Sequence, residues 1–491
     1  MSAIPRTLRR SFTAFALTIA VLLTLATTSL AFAASNAVTL LRLSKDPYTN
    51  STSQHKTQVE PDTFSNGNTI VAAVQSGRFF DGGSSNIGFA TSTNNGSSWT
   101  NGFLPGSTVF ATPPGKYARA SDPSVAYDAK HNAWIISYLG LSGGETPPVD
   151  VASSRSTDGG LTWSNAIPIN ATGAFNDKNW TVCDNTSTSK FYGNCYTEFD
   201  NASSGDLEQM STSTDGGKTW GAAVTPSGSP FGLGGQPLVQ PNGTVIVPFE
   251  DLNGTISDFI STNGGSSWSS PTTIATIDVH NESANIRTSP LPSAEIDGSG
   301  TVYVAWQDCR FESGCSANDI VYSTSSDGKT WSTVKRIPAD PVGSGVDHFI
   351  PGIAVDKNTS GSSAHVAVAY YYFTSTTCTS NCKLDVGFIS STNGGATWST
   401  KQKLAGPMSL NWLASTNQGN MVGDYISTSF VSNGKAFPAF VVATANKGTK
   451  FHESLYTVSG GLAVVGGTNS SSAVVVDHGH APTFSRTTTA F

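Results

Sequence analysis

One eight-residue pattern recurs along the chain and limits what the chain can fold into. It reads STDGGLTW at 156–163, STDGGKTW at 213–220, STNGGSSW at 261–268 and STNGGATW at 391–398. Looser copies are STNNGSSW at 92–99 and the seven-residue SSDGKTW at 325–331. The closing Trp residues of successive copies are 48 to 67 residues apart. Repeats of this length predict a fold built from several similar units.

Short apolar strands separated by turns precede each copy, as in DPSVAYDAKHNAWIISYL at 122–139. Charged residues make up only 12% of the chain, which suits strands and tight turns better than amphipathic helices. We count seven units of three or four strands, with VTLLRLS at 38–44 completing the last one. Because one unit cannot bury both faces of its sheet, the repeats predict an all-β, seven-bladed β-propeller. Six blades or a row of separate sandwiches are the alternatives.

The first 33 residues have the pattern of a secretory signal peptide. Three Arg precede an apolar run that ends at Leu30, and an Ala-x-Ala cleavage sequence ends at Ala33. A single membrane anchor is the alternative interpretation. We therefore expect a signal peptide at 1–33 and a single propeller domain at 34–491, secreted and without stable membrane insertion after cleavage.

The six Cys residues fall in three local pairs, which predicts disulfides in an exported chain. The pairs are Cys183 with Cys195, Cys309 with Cys315, and Cys378 with Cys382. No His stands at ligand spacing beside these pairs, so we do not expect them to bind a metal. Removing residues 1–33 changes the formal net charge from −7 to −10, which argues against nucleic acid as the main partner.

The Asp of the repeated pattern is predicted to be structural. Asp or Asn at this place accepts hydrogen bonds from N–H groups of the turn, Gly supplies positive φ, and Trp fills the groove between neighbouring units. Asn replaces Asp in three copies, at Asn94, Asn263 and Asn393. A general acid or nucleophile would not survive that exchange. We therefore predict turn roles for Asp158, Asp215 and Asp327, and burial of all six Trp residues.

The repeats are Asp boxes, and the chain resembles the sialidase-like Asp-box (BNR repeat) β-propeller superfamily over nearly all of residues 34–491. The resemblance implies a glycan-active protein, since the superfamily includes sialidases, other glycosidases, polysaccharide lyases and non-catalytic receptors. Its sialidases use three Arg to clamp a carboxylate, an Asp acid/base, and a Tyr nucleophile paired with Glu. They usually have six blades and an Arg-Ile-Pro motif before the first box, where this chain has VEPDTF at 59–64. The Arg336-Ile337-Pro338 sequence of this chain follows the fifth box.

In a propeller the boxes lie at one face, so we expect a pocket at the opposite face, near the start of each first strand. Acids recur at these positions and would raise one another's pKa, as a general acid requires. The candidate catalytic residues are Asp62, Asp122, Asp177, Asp347, His348, Asp424 and Tyr425. The candidate substrate-binding residues are Arg119, Lys178, Arg287 and Arg310, and the Arg residues suit a carboxylate-bearing sugar.

A structural role is the alternative for each of these residues. Acids also cap turns, Arg78 is expected to form only a surface salt bridge, and a lone His348 suits a structural site. Clustered carboxylates also suit Ca²⁺, but no ordered Asp-x-Asp loop supports it, so no cofactor is expected and the metal content stays open.

The sequence thus predicts a secreted, monomeric, sialidase-like glycoside hydrolase that acts on an anionic glycan. A polysaccharide lyase is one alternative. A non-catalytic propeller that binds a glycan or a protein is the other.

Overall fold

A computed structural model of the chain describes residues 38–143, 148–379 and 381–471. The predicted signal peptide lies outside these residues. The described residues contain strands and short 3-10 turns but no α-helix, as the composition predicts. The 3-10 turns are Ala202–Ser204, Ser313–Cys315, Gly361–Ser363 and Leu410–Trp412. Among the described residues, none forms a helix long and apolar enough to cross a membrane.

The strands follow one another as hairpins, and we divide them into seven groups in chain order; one residue pair, Ser84 with Ala120, joins groups 1 and 2 into a single sheet. The first strand is β1 (Leu40–Arg42). Group 1 comprises β2 (Gln58–Asn66), β3 (Thr69–Arg78), β4 (Ser84–Ser92) and β5 (Thr100–Phe103). Group 2 comprises β6 (Arg119–Asp128), β7 (Ala133–Leu141), β8 (Val149–Ser156) and β9 (Ile167–Asn170). Group 3 comprises β10 (Asn176–Cys183), β11 (Cys195–Asn201) and β12 (Leu207–Ser213).

The middle of the chain continues the same arrangement. Group 4 comprises β13 (Gly232–Leu233), β14 (Leu238–Val239), β15 (Val245–Asp251), β16 (Thr255–Ser261) and β17 (Thr272–Thr276). Group 5 comprises β18 (Ser293–Ile296), β19 (Val302–Asp308), β20 (Asp319–Ser325) and β21 (Lys335–Arg336). Group 6 comprises β22 (Asp347–Val355), β23 (Val366–Phe373), β24 (Lys383–Ser391), β25 (Thr397–Trp398) and β26 (Gln402–Ser409).

The last part of the chain adds a small hairpin and the final group. The hairpin is β27 (Ala414–Thr416) with β28 (Gly419–Met421). Group 7 comprises β29 (Ser427–Phe430), β30 (Lys435–Ala443), β31 (Glu453–Val458) and β32 (Leu462–Ala463). The final strand, β33 (Asn469–Ser470), pairs with β25.

Paired strands within a group are antiparallel, and the groups contact one another through their first strands, a place that β14 takes in group 4. These contacts are β2 with β6, β6 with β10, β10 with β14, β14 with β18, β18 with β22, β22 with β29, and β29 with β2. β1 pairs antiparallel with β31, with Leu40 opposite Val458. The segment 38–44 therefore supplies the outer strand of group 7, as the sequence predicts.

The hydrophobic core lies between neighbouring groups. One buried cluster contains Val71 and Phe89 of group 1 with Trp134 and Tyr138 of group 2, and further clusters join groups 4 and 5 and groups 5 and 6. Because each sheet is covered on both faces, its middle strands are buried throughout; every residue of β7 is buried. This explains why those strands appear in the sequence as continuous apolar runs.

The Asp boxes form tight turns after the third strand of a group. In the box at 156–163, Asp158 Oδ1 accepts hydrogen bonds from the backbone N–H groups of Leu161 and Thr162, both at 3.0 Å. In the box at 92–99, Asn94 Oδ1 accepts the Ser98 N–H at 2.9 Å, and Asn94 Nδ2 donates to Ser98 Oγ. Asp and Asn therefore hold the turn in the same way, which supports the predicted structural role.

The Trp residues of the boxes are less uniformly buried than predicted. Trp163, Trp268 and Trp398 are buried, whereas Trp99, Trp220 and Trp331 are only half-buried, so the expectation for these three was wrong. Trp331 has a clear reason. Its box is one residue shorter, and its indole N–H donates to Asp258 Oδ1 at 3.2 Å instead of to a glycine carbonyl of its own turn. Trp163, by contrast, donates to Gly160 O within its box.

All three predicted disulfides are present. They are Cys183–Cys195, Cys309–Cys315 and Cys378–Cys382, and no cysteine is free. The first joins the facing strands β10 and β11, and the other two lie in connections that follow the second strand of a group. The disulfides therefore stiffen individual groups.

We predict that Asp215→Asn leaves the stability of the protein nearly unchanged, whereas Asp215→Ala destabilises it. Asp215 Oδ1 accepts the N–H groups of Lys218 and Thr219, both at 3.0 Å, and an Asn carbonyl oxygen can accept the same bonds. Ala removes both acceptors, so we expect a loss of about 1–2 kcal/mol. Urea unfolding of the two variants measures this. An equal loss in both would mean that the negative charge itself holds the turn.

Candidate active site at the bulged first strands

The first strands of four groups share a β-bulge at which one residue has positive φ. These residues are Glu60 (56°), Asp122 (46°), Lys178 (43°) and Ile350 (50°). The strand register shifts at each of these positions. Such a backbone conformation costs a non-glycine residue about 1–3 kcal/mol and is concentrated at functional sites. The bulges therefore mark one end of the first strands as a candidate site.

Three of the four bulge residues are charged, and their side chains meet. Lys178 Nζ pairs with Asp424 and lies 3.9 Å from both Glu60 Oε1 and Asp122 Oδ1. Arg287 binds the same Asp424 through two hydrogen bonds, Nε to Oδ1 at 2.7 Å and Nη2 to Oδ2 at 2.5 Å. We call these five residues the central charge cluster. Their side chains are at most 11% exposed, so the charges interact with little screening by water.

The cluster shifts the pKa values of its members in opposite directions. Burial opposes the charges of Lys178 and Arg287, but the surrounding carboxylates outweigh it and raise the pKa of both groups. Burial also opposes the charge of Asp424, but Arg287 and Lys178 hold its pKa below the ordinary value. Burial and the neighbouring Asp122 raise the pKa of Glu60 well above its ordinary value. These shifts thus favour the ionised form of Asp424 and the protonated form of Glu60.

Two long connections meet beside the cluster and position Arg287. The Arg287 N–H donates to Asn420 O in β28, and the Asn420 N–H donates to Asn285 O, both at 2.8 Å. The Glu60 N–H donates to Val422 O at 3.1 Å, just before Asp424. Backbone hydrogen bonds therefore fix Arg287 and Asp424 relative to the bulge of β2.

Arg78 belongs to the surroundings of this cluster, so its expected role in a surface salt bridge was wrong. Its side chain is buried, and its Nη1 donates to Gln75 Oε1 at 3.3 Å and to Gly83 O at 3.2 Å. Gln75 in turn donates to Glu60. Burial, followed by the charge of Arg287, lowers the pKa of Arg78 to about 10. Arg78 therefore adds a buried cation behind Glu60.

Tyr425 follows Asp424 in the chain but its hydroxyl group is already engaged. It donates to Pro123 O at 3.0 Å, and the ring packs edge-on against Trp180 at a centroid distance of 5.1 Å. Burial, together with nearby carboxylates, raises the pKa of Tyr425 well above its ordinary value. The structure thus places this predicted catalytic residue in a hydrogen bond to the group 2 bulge.

Asp62 lies farther along the first strands, two residues after the bulge of β2. It lines a small cavity of about 40 Å³ together with Trp180 and Ser293 of other first strands and with Gln236, which precedes β14. Its Oδ2 accepts the Val125 N–H at 2.7 Å, and burial raises its pKa to about 7. Asp62 is therefore part of a channel between the groups and not of the central charge cluster.

Asp347 and His348 lie between groups 5 and 6. Asp347 Oδ1 accepts the Asn318 N–H at 2.8 Å, and His280 Nε2 is 3.9 Å from its other oxygen. His348 is buried and lies between Asn318 O at 3.1 Å and Asp340 Oδ2 at 3.0 Å. Asp347 and His348 are neighbours in the chain. The partners of both side chains lie outside the central charge cluster.

Arg119 binds an acid of a nearby loop, and Arg310 binds the last residue of β19. Arg119 forms a two-pronged pair with the exposed Asp81 at 2.7 and 3.1 Å. Arg310 binds Asp308 through Nε at 2.8 Å and Nη2 at 2.7 Å. Of the predicted substrate-binding residues, only Lys178 and Arg287 therefore belong to the central charge cluster.

A second group of acids is buried next to the bulge of β10, and we call it the buried acid group. It contains Asp177, which was predicted, and Glu198, Asp200 and Glu208. Glu198, Asp200 and Glu208 are fully buried, and the carboxyl groups of Glu198 and Glu208 lie within hydrogen-bonding reach of each other. Burial raises the pKa of all four, to about 7 for Asp177 and Glu208. Within the described residues, no set of three or more His, Cys, Asp or Glu is arranged to hold a metal ion.

Comparison with known proteins gives a likeness at the level of solved structures. No protein-family model and no curated protein matches the chain. The structure is similar to that of a protein of unknown function from Dyadobacter fermentans (TM-score 0.43, 16% identity, covering 68% of this chain and 94% of that one). It is also similar to the Hadza microbial sialidase Hz136 (0.45, 13%, 80% and 74%) and to the NanB sialidase of Streptococcus pneumoniae (0.44, 14%, 86% and 70%). The all-β chain is thus structurally similar to sialidases at low identity.

We predict that Lys178→Met strongly destabilises the protein at neutral pH. The substitution keeps an unbranched side chain but leaves Asp424, Asp122 and Glu60 without the ammonium they face, and breaking such a buried pair costs about 3–5 kcal/mol. Near pH 4 the loss should be smaller, because protonation of carboxyl groups removes the repulsion. Denaturant unfolding at both pH values measures this. The matched control is Lys116→Met, since Lys116 is exposed and its pair with Asp150 should contribute at most about 1 kcal/mol. Equal losses for both variants would contradict the prediction.

We also predict that the free energy of unfolding falls as the pH rises from about 4 to 8. The acids of the buried acid group have raised pKa values in the folded protein, so the folded state binds more protons than the unfolded chain in this range. For Asp177 and Glu208 this stabilising contribution is complete below the ordinary pKa and is lost as the pH passes about 7. Glu208→Gln should flatten this dependence, whereas Asp81→Asn, at an exposed acid, should not. Stability that rises between pH 5 and 8 would contradict this assignment.

Proposed function

We propose that the chain is a secreted, seven-bladed β-propeller that hydrolyses an anionic glycan at the central charge cluster. The observation that carries this proposal is the pair Glu60 and Asp122. Their carboxyl groups come from neighbouring first strands, stand at equivalent bulges with positive φ, and lie 3.9 Å from the same ammonium group. Buried carboxyl groups held by strained backbone are typical of acid–base sites.

The blade number and the secretion have separate support. The contacts among first strands run from group 1 through group 7 and return to group 1, which favours seven blades. Three local disulfides, which form in oxidising compartments, favour export and agree with the signal-peptide pattern.

Glu60 is the proposed general acid. Its raised pKa keeps a proton on the carboxyl group, and that proton can pass to the oxygen of the glycosidic bond as the bond breaks. Asp122 is the proposed nucleophile or base on the other side of that bond. Entry of the sugar between them would separate the two carboxyl groups toward the roughly 5–9 Å used by glycoside hydrolases.

The cations account for the preference for an anionic substrate. Lys178 and Arg287 converge on Asp424, with Arg78 buried behind Glu60. A carboxylate of the substrate can take up the same two-pronged hydrogen bonds that Arg287 now gives to Asp424. The connection that carries Arg287 has to move for a sugar to enter, because the cluster is at most 11% exposed. The other predicted residues remain proposed in secondary roles. The secondary catalytic candidates are Asp62, Asp177, Asp347, His348 and Tyr425. The substrate-binding candidates outside the central charge cluster are Arg119 and Arg310.

The same closed geometry favours one alternative, a non-catalytic propeller that binds a glycan. The two cations of the central charge cluster already have carboxylate partners. Such pairing is also typical of an ion network with a purely structural role. A binding protein would then use the surface around the cluster, where Arg119 is partly exposed.

The test is a screen of aryl sialosides, aryl uronides and neutral aryl glycosides with the wild type, Glu60→Gln and Asp122→Asn. Both variants keep the shape of the side chain and remove proton transfer or bond formation, so kcat should fall by about 10²–10⁴-fold. Asp258→Asn is the matched control, because Asp258 is equally buried but bonds to Trp331 next to a box. Circular dichroism and thermal unfolding confirm that each variant is folded.

Each result of this screen has a defined meaning. Turnover that survives both substitutions but is lost in Asp62→Asn or Asp347→Asn would move the site to those residues. An absence of turnover on every substrate, together with saturable glycan binding, would support the non-catalytic alternative.

A further inference from the structure

A separate cavity lies on the side of the first strands that carries the boxes. It has a volume of about 220 Å³ and is lined by the turn at 64–67, Glu295, residues 354–358 and residues 428–432. The side is identified by the first box, since the Asn95 N–H donates to Asn68 O, next to this turn. The cavity therefore opens opposite to the bulges and belongs to groups 1, 5, 6 and 7.

The chemistry of the lining is specific. Lys357 Nζ lies 4.8 Å from the centre of the Phe64 ring and 3.9 Å from Glu295 Oε2. The Phe430 ring is half-buried at the same cavity. The Glu295 side chain is 22% exposed and that of Lys357 is 50% exposed, so both polar groups are accessible from the opening. One wall thus offers aromatic surface, and the other offers a carboxyl group and an ammonium group.

The charges of the lining disfavour an anion. Glu295 and Asp356 are acids, and Lys357 is the one cationic side chain among the described residues that line the cavity. The cavity also shares Phe64, Glu295 and Lys357 with the smaller cavity that contains Asp62, so a third acid lies deeper in the same passage. An anionic ligand would have to approach these carboxyl groups with a single ammonium to compensate.

We propose that this cavity binds one neutral sugar residue, independently of the chemistry at the central charge cluster. A sugar ring has apolar C–H faces that can pack on Phe64 or Phe430. Its hydroxyl groups can donate a hydrogen bond to Glu295 and accept one from Lys357. The volume lies below the roughly 300–1,000 Å³ of pockets for drug-sized ligands, which fits a single ring and excludes an enclosed oligosaccharide. Such a site would hold a neutral end of a glycan on the face opposite to the bulges.

Saturation-transfer NMR and calorimetric titration of the full protein with galactose, glucose, N-acetylglucosamine and N-acetylneuraminic acid test this proposal. We expect at least one neutral sugar to bind saturably and the anionic sugar not to compete with it. Glu295→Gln removes the charge at constant shape, and Phe430→Leu removes the aromatic face while retaining apolar bulk, so each should weaken binding by about fivefold or more. Phe231→Ala, at an exposed ring outside the cavity, is the matched control and should bind as the wild type does.

Each outcome either supports or overturns the assignment. Saturable binding that is weakened by both cavity variants and not by the control supports it. The proposal is overturned if no neutral sugar binds, if binding is unchanged in both cavity variants, or if the anionic sugar displaces the neutral one. Since none of these readouts depends on turnover, a negative result would leave the hydrolase proposal untouched.

Discussion

The ammonium group of Lys178 is the interaction on which the centre of the molecule depends. It faces carboxylates from group 1, group 2 and the connection to group 7, and its partner Asp424 stands 246 residues away in the chain. Charges buried to this degree are tolerated only in pairs or networks, so each first strand has to stand where its charge is compensated. The bulges at Glu60, Asp122 and Lys178 are how the strands reach these positions. The cluster therefore fixes neighbouring groups relative to one another while it forms the candidate active site.

The sequence predicts those features that depend on nearby residues or on the repeat. The boxes, the disulfides and the closing strand β1 were all predictable, because each depends on residues within one turn or on a repeat that is visible in the chain. The Trp residues were less predictable, since their burial depends on the neighbouring group. Trp331 illustrates this, because a shortened box turns its indole toward Asp258.

The site was only partly predictable, and the reason is strand register. The predicted Asp122, Lys178, Arg287 and Asp424 do meet, but Asp347 stands three residues before the bulge residue Ile350, as Arg119 does before Asp122. Arg119 and Asp347, at that earlier position, form hydrogen bonds outside the central charge cluster. A place at the start of a first strand therefore does not by itself predict that a residue belongs to the cluster. Three of the four bulge residues stand directly before Pro, namely Glu60, Asp122 and Ile350. Asp46 and Asp340 also precede Pro but have no positive φ, so an acid before Pro does not by itself mark a bulge. No sequence pattern marks Glu208 as a member of the buried acid group. It lies opposite Asp200 because β12 pairs with β11, and the sequence does not show that pairing.

The placement of the disulfides has a mechanical consequence. Each one links residues no more than 12 positions apart, so every covalent cross-link is confined to a single neighbourhood of the chain. No disulfide joins the beginning of the described fold to its end; there β1 pairs with β31, β2 packs on β29, β30 and β31, and the Glu60 N–H donates to Val422 O. Separating this junction therefore breaks only noncovalent contacts, and a local opening of this kind can leave the hairpins on either side intact. Covalent reinforcement in this molecule is thus local, and the contacts between groups can separate and form again without any change in the disulfides.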